Sequence, residues 1–172
     1  MKTLKIILAF FLFIAIHACY GQQVVKSKAY RYKINLPQSL KKASDSAGSA
    51  EEQAFYDDDA GIVFLISVKD GLYTDLNGYR NCSVSDMENK LRTYENDSTL
   101  KLVSCGKSRY YTAKAVVLHF ETSVLPSGLD RCIIYFVHHH NKELQLSFMY
   151  SKTDEKNSMA YIDSIMQKLE LL

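Results

Sequence analysis

The sequence of 172 residues carries 21 lysines and arginines against 19 aspartates and glutamates, which gives a formal net charge of +2. A nearly neutral chain without a basic block is a poor candidate for nucleic-acid binding, so we expect no nucleic-acid partner. Twelve tyrosines, eight phenylalanines and only two prolines are typical of a sheet-rich folded domain rather than of a disordered chain.

The N-terminal segment 1–21 has the pattern of a secretory signal peptide. Two lysines precede an unbroken apolar run at 6–16, which has the length of a signal core and is shorter than the roughly 20 residues of a membrane span. Cleavage after Gly21 would leave a single domain at 22–172. Alternatively, 16–19 is a lipobox, the segment 1–18 is removed, and Cys19 becomes a lipid anchor. Both routes predict a protein of the periplasm, or one attached to the outer membrane of a Gram-negative bacterium, with no membrane contact except through Cys19.

The first part of the mature domain is predicted to form three strands. Apolar and polar residues alternate over 30–37 and stop at a proline, which indicates a half-buried strand. The polar stretch 38–50 predicts a loop. Two further strands, at 52–56 and 62–68, flank a turn rich in aspartate. The second of them is apolar on both faces, so we expect it in the interior of a sheet.

A helix is predicted after an exposed loop at 69–81. Ser85 and Glu88 have the spacing of a capping box, with Ser85 as the cap residue. Met87, Leu91 and Tyr94 are then spaced to lie on one face of the helix.

Four strands and a closing helix complete the predicted order. The strands are expected at 99–105, 110–122, 130–139 and 144–150, and their short connections indicate antiparallel neighbours. The closing helix, at 154–169, should bury an apolar stripe that comprises Met159, Ile162, Met166 and Leu169. An antiparallel β-sheet covered by helices, and hence an α+β domain, satisfies this order.

The same order resembles the PsbP-like α/β/α sandwich, the fold of the extrinsic PsbP subunit of photosystem II and of many small exported bacterial proteins. The segments that carry the resemblance are the opening strand at 32–37, the central hairpin at 113–120 and 132–138, the last strand at 144–150 and the closing helix. The resemblance implies a PsbP-like fold and a non-enzymatic accessory or docking role toward another envelope protein. It identifies no site residues.

The most conspicuous candidate site is the run of three histidines at 138–140. On a strand, His138 and His140 would face the same side and could share a metal, with Glu143 across the turn as a third ligand. Stable sites use three or four ligands. We therefore predict a polar hairpin end with both histidines exposed, and neither a structural metal nor a cofactor.

The other candidates involve cysteines. His119 would face Cys132 across a hairpin, the one nucleophile–base pair that the pattern suggests, although we expect Cys132 to be a buried apolar residue. Of the three cysteines after Cys19, Cys82 and Cys105 are predicted to lie level with each other, so they form the disulfide if one forms. The alternative is three separate thiols. A Cys105–Cys132 bridge is excluded because the two should lie roughly 26 Å apart along the sheet.

Without a catalytic set of residues, the leading functional prediction is a non-catalytic envelope module that docks onto another protein. The alternative is a periplasmic protein that binds a small ligand or a metal on the sheet face or at the turn 138–143. A hydrolase or thiol enzyme is the third hypothesis, and we do not expect an enzyme.

Overall fold

The computed structural model describes residues 22–43, 52–126 and 128–172, so the leader and Cys19 lie outside the described residues. In the described part, strands form two antiparallel sheets that are accompanied by three α-helices. The elements are β1 (Gln22–Ser27), β2 (Tyr32–Pro37), β3 (Lys41–Lys42), β4 (Glu52–Asp57), β5 (Ile62–Asp70), α1 (Leu76–Asn81), α2 (Val84–Glu95), β6 (Lys101–Lys107), β7 (Ala115–Glu121), β8 (Arg131–His139), β9 (Lys142–Tyr150), a 3₁₀ turn (Lys152–Asp154), α3 (Glu155–Met166) and β10 (Leu169–Leu171). None of the described helices is long and apolar enough to cross a bilayer.

The larger sheet has seven strands in the order β3-β4-β5-β9-β8-β7-β6. The predicted meander of β7, β8 and β9 is confirmed, because each pairs antiparallel with the next. Strand β5 lies in the interior, as predicted, between β4 and β9. One of its faces is fully buried, whereas the other is half-buried.

The smaller sheet has three strands in the order β1-β2-β10 and was not predicted. The opening strand β2 therefore pairs with β1 and β10 rather than joining the larger sheet. The predicted closing helix is also too long, because α3 ends at Met166 and Leu169 begins β10. Leu169 is nevertheless buried, since β10 pairs with the buried strand β2.

The main core lies between one face of the larger sheet, helix α3 and the smaller sheet. Phe64 and Phe148, on neighbouring strands, stack with their ring centroids 4.4 Å apart. Ile162 and Met166 of α3 are buried as predicted, whereas Met159 is only partly buried. Helix α3 thus covers this face of the sheet with the apolar stripe that its periodicity predicts.

Helices α1 and α2 lie on the opposite side of the larger sheet, next to β6 and β7. Helix α1 occupies part of the predicted loop, with Asp75 as its cap residue. The predicted cap of α2 is wrong: the Asp86 N–H donates to Ser83 Oγ at 3.1 Å, so Ser83 and not Ser85 is the cap residue. The Glu88 carboxylate instead accepts from the Leu102 N–H at 2.7 Å and ties α2 to β6.

Candidate functional site

A groove of about 570 Å³ lies between the second face of the larger sheet and helix α2. Its volume falls in the range of small-molecule binding sites. The sheet supplies an apolar floor, and the helix and the loop before α1 supply the walls. The residues that line it are Lys69, Tyr73, Thr74, Tyr79, Met87, Lys90, Leu91, Leu100, Leu118, Phe120, Ile134, Phe136, Glu143 and Gln145.

The floor of the groove follows from the alternation of side chains along β7 and β8. Leu118 pairs with Ile134 in the antiparallel register, so residues two positions along each strand share the same face. Phe120 and Phe136 extend that face, and both remain only half-buried. The ring of Tyr79 on α1 packs edge-on against Phe136, with ring centroids 6.0 Å apart.

The wall of the groove comes from helix α2. Met87 and Leu91 are four residues apart and therefore lie on one face of the helix, as predicted. Met87 is buried against Leu118, whereas Leu91 is half-buried and borders the groove. The helix thus contacts the sheet through Met87 and Glu88 and leaves aromatic surface accessible beside it.

The polar part of the groove contains a buried carboxylate. Glu143 on β9 is 1% exposed, and its Oε2 accepts hydrogen bonds from the Thr74 N–H at 2.6 Å and from His138 Nε2 at 3.1 Å. Lys69 on β5 is its Cα partner across the sheet. The Lys69 ammonium lies 6.0 Å from the centroid of the Tyr73 ring. The sequence suggests Glu143 only as a possible metal ligand. Its burial could not be predicted, because the alternation of residues does not show that the loop before α1 covers it.

The structure separates the two candidate metal ligands His138 and His140. His138 is half-buried beside Glu143, which contradicts its predicted exposure, whereas His140 is exposed as predicted. His140 and Asn141 form the turn between β8 and β9 and have φ of 48° and 58°, positive as a type I′ turn requires. The strand alternation therefore stops before His140. No group of three or more metal-ligating side chains converges in the described part of the chain.

His119 and Cys132 do not form the suggested nucleophile–base pair. Cys132 pairs with Phe120, and His119 pairs with Ile133. The predicted register was therefore wrong by one residue, which places the two side chains on opposite faces of the sheet. His119 lies in the core and is hydrogen-bonded to the Tyr150 hydroxyl at 2.9 Å. Burial lowers its pKa, the nearby Glu155 opposes that shift, and Arg131 reinforces it.

Cys82 and Cys105 lie near each other, with the Cys105 Sγ 4.0 Å from the Cys82 carbonyl oxygen. Both are half-buried free thiols, and burial raises the pKa of the Cys105 thiol. Their disulfide therefore stays a prediction. Cys105 on β6 pairs with Leu118 on β7, and Cys132 on β8 pairs with Phe120 on β7. The two cysteines are therefore two strands apart and displaced by two residues along the strands, which separates them by roughly 12 Å rather than 26 Å. That separation still excludes a bridge between them.

Comparison with known proteins identifies the fold. No protein-family model matches the sequence, and no curated protein is detectably similar to it. The solution structure of cyanobacterial PsbP from Synechocystis sp. PCC 6803 superposes with a TM-score of 0.63 at 12% identity, over 88% of this chain and 93% of that one. A crystal structure from Bacteroides thetaiotaomicron superposes with a TM-score of 0.50 at 16% identity over 88% of this chain, which spans 48% of the length of that protein. The chain has the PsbP-like α+β fold that its order of elements predicts.

Proposed function

We propose that this chain is an exported, non-catalytic protein of the bacterial envelope that binds a small apolar ligand in the groove beside α2. The observation that carries the proposal is the groove itself, whose floor presents Leu118, Phe120, Ile134 and Phe136. Each Å² of apolar surface that a ligand covers there contributes about 25 cal/mol. The sequence suggests two binding roles, docking onto another protein and binding a small ligand. The groove favours the second.

A binding role is favoured over a catalytic one by what the polar groups already contact. Oε2 of Glu143 already accepts hydrogen bonds from the Thr74 N–H and from His138. The bond to Thr74 holds the loop before α1 against β9. His119 is hydrogen-bonded inside the core. A nucleophile needs a base within hydrogen-bond reach, and the Cys132 side chain lies on the other face of the sheet from His119.

The envelope location is proposed from the leader. The apolar run at 6–16 follows two lysines, the pattern of a secretory signal. In the periplasm or at the outer membrane, an apolar groove would have access to ligands that are poorly soluble in water. The membrane itself is contacted only through Cys19, if that residue is lipidated.

Titration with the neutral fluorophore N-phenyl-1-naphthylamine tests the binding role. Two tryptophan variants are compared, in a chain that has no native tryptophan. Leu91→Trp adds bulk to the groove wall, whereas Asn89→Trp places the same side chain on the exposed side of α2. We expect saturable fluorescence enhancement with the wild-type protein and with Asn89→Trp, and at least tenfold weaker binding with Leu91→Trp. Equal binding by the two variants, with equal unfolding midpoints, would contradict the proposal.

Docking onto another envelope protein is the second candidate, and exposed apolar side chains favour it. Leu72 and Tyr73, in the loop before α1, are 50% and 69% exposed. Tyr73 also lines the groove, so the loop and the groove offer one continuous apolar surface. A double Leu72→Ser, Tyr73→Ser variant should lose a partner that the wild-type protein recovers from its native envelope. Recovery of the same partner by both proteins would exclude this surface.

A further inference from the structure

The two oxygens of the Glu143 carboxylate have different surroundings. Oε2 accepts from the Thr74 N–H and from His138, whereas Oε1 accepts no hydrogen bond from the described residues. The side chain is only 2% exposed, and it lines the groove. Oε1 keeps some access to water. A ligand that covers it without donating a hydrogen bond would leave a carboxylate oxygen without a partner, which is unfavourable, so a ligand that brings a donor to Oε1 should bind more tightly than one that does not.

The charges around the groove restrict which donor fits. Lys69 lies directly across the sheet from Glu143, within the distance at which cross-strand side chains interact. Lys90 of α2 borders the same groove. A ligand ammonium would be attracted by Glu143 but repelled by these two cations, and it would lose its hydration on entering the groove. A ligand carboxylate placed at the same point would also lose its hydration and would be repelled by Glu143. A neutral donor avoids both repulsions.

We propose that the groove selects a neutral apolar molecule bearing a hydroxyl group, which donates its hydrogen to Oε1 of Glu143. The proposal rests on the proposed binding function and names its ligand class. The hydrocarbon part of the molecule lies on Phe120, Ile134 and Phe136, and the hydroxyl points toward β9. Glu143 thereby determines specificity while the floor supplies most of the affinity.

A series of four probes with the same decyl chain separates the head group from the chain. Displacement of N-phenyl-1-naphthylamine is measured with 1-decanol, 1-methoxydecane, decylamine and decanoate. We expect 1-decanol to bind about tenfold more tightly than 1-methoxydecane, which can accept but not donate, because a hydrogen bond to a carboxylate is of this strength. Decylamine and decanoate should bind more weakly than 1-decanol.

Glu143→Gln tests whether the Glu143 carboxylate is the group that accepts the hydrogen bond from the ligand hydroxyl. An amide N–H facing the ligand donates equally well to an ether and to an alcohol, so the preference for 1-decanol over 1-methoxydecane should fall to within about twofold. Glu170→Gln is the matched control, because Glu170 is exposed on β10 and paired with Lys33, and it should keep the full preference. If Glu143→Gln does not fold, the head-group series on the wild-type protein decides alone.

Three outcomes would overturn the inference and leave the binding function standing. They are equal affinity of the wild-type protein for 1-decanol and 1-methoxydecane, tightest binding by decylamine or decanoate, and an unchanged preference for 1-decanol in folded Glu143→Gln. Failure of every probe, including N-phenyl-1-naphthylamine, would instead overturn the proposed function itself.

Discussion

His119 is a histidine inside the core, and it makes the stability of the protein depend on pH. Burial lowers its pKa in the folded state, so the unfolded chain binds a proton at a higher pH than the folded protein does. The free energy of unfolding that this residue contributes is therefore fully present above the ordinary histidine value of 6.5 and is lost as the pH falls below it.

The variant His119→Asn keeps a hydrogen-bonding side chain beside Tyr150 but cannot titrate. Urea unfolding at pH 7.5 and at pH 5.5 should show a smaller loss of stability for this variant than for the wild-type protein. His140, whose pKa is also lowered, is exposed on the hairpin turn, and His140→Asn serves as the control that keeps most of the wild-type pH dependence. Parallel curves for wild-type protein and His119→Asn would contradict the assignment.

Asp57 is a buried carboxylate held by hydrogen bonds at the end of β4. Burial by itself would raise its pKa, but hydrogen bonds from Ser39, Tyr161 and the Ala60 N–H outweigh that effect and lower it. The Tyr161 hydroxyl donates to Oδ2 at 2.6 Å and so links α3 to the sheet. The stability from this contact is present above the ordinary value of 3.8 and is lost as the pH falls below it.

Tyr161→Phe should therefore lower the free energy of unfolding by about 1.5–3 kcal/mol at pH 7, the strength of a hydrogen bond to a charged group. The difference from the wild-type protein should narrow near pH 3. Tyr73→Phe removes a hydroxyl from a side chain that is 69% exposed and should change stability by less than about 0.5 kcal/mol. Equal losses from the two tyrosine variants would refute a specific role for the Asp57 contact.

Helix α2 allows a direct comparison of two serines, only one of which is its cap residue. Ser83 Oγ accepts from the Asp86 N–H, whereas the sequence spacing favours Ser85. Ser83→Ala should cost about 1 kcal/mol in urea unfolding, and Ser85→Ala, inside the first turn, should cost less than about 0.5 kcal/mol. The reverse order would restore the predicted capping box.

The elements that could be predicted from the sequence are those specified by local pattern. Strand β8 contains a continuous apolar run at 132–137, and β9 begins with alternating polar and apolar residues. The two strands are joined by a two-residue turn, so their pairing follows from neighbouring residues. Strand β10 has only three residues and forms by pairing with β2, far away in sequence. No local signal distinguishes such a segment from the end of a helix, which is why the predicted α3 was too long.

The groove could not be predicted for a related reason. The predicted register places Phe120 and Phe136 on opposite faces of the sheet, whereas the observed register places them on the same face. The pattern also does not show how far α2 lies from them. That distance depends on Met87 packing on Leu118 and on Glu88 binding the β6 backbone, which are contacts between distant parts of the chain. The burial of Glu143 likewise depends on the loop before α1, and the sequence predicts that this loop is exposed.

At the scale of the whole molecule, the PsbP-like fold is shared with proteins that are only 12–16% identical to this one. Fold alone does not determine function, and the groove side chains are what argue for a ligand. The fold could be predicted from the order of elements, because an antiparallel sheet that must bury both faces has few arrangements.

Export of the whole protein is tested by the intact mass of the mature chain. Protein extracted from the envelope of a Gram-negative host should lack at least residues 1–18. A mass that starts at Gln22 would indicate cleavage after Gly21, and added acyl chains on Cys19 would indicate the lipoprotein route. Retention of Met1 through Ala18 would contradict export by either route.

The most direct measurement is the position of a bound molecule in the complex with 1-decanol, by nuclear magnetic resonance contacts or by crystallography. We expect the chain of the alcohol on Phe120, Ile134 and Phe136, with its hydroxyl within hydrogen-bond distance of Glu143 Oε1. An alcohol bound elsewhere on the molecule would contradict the assigned ligand class, and a groove that stays free of both 1-decanol and N-phenyl-1-naphthylamine at saturating concentration would contradict the binding role.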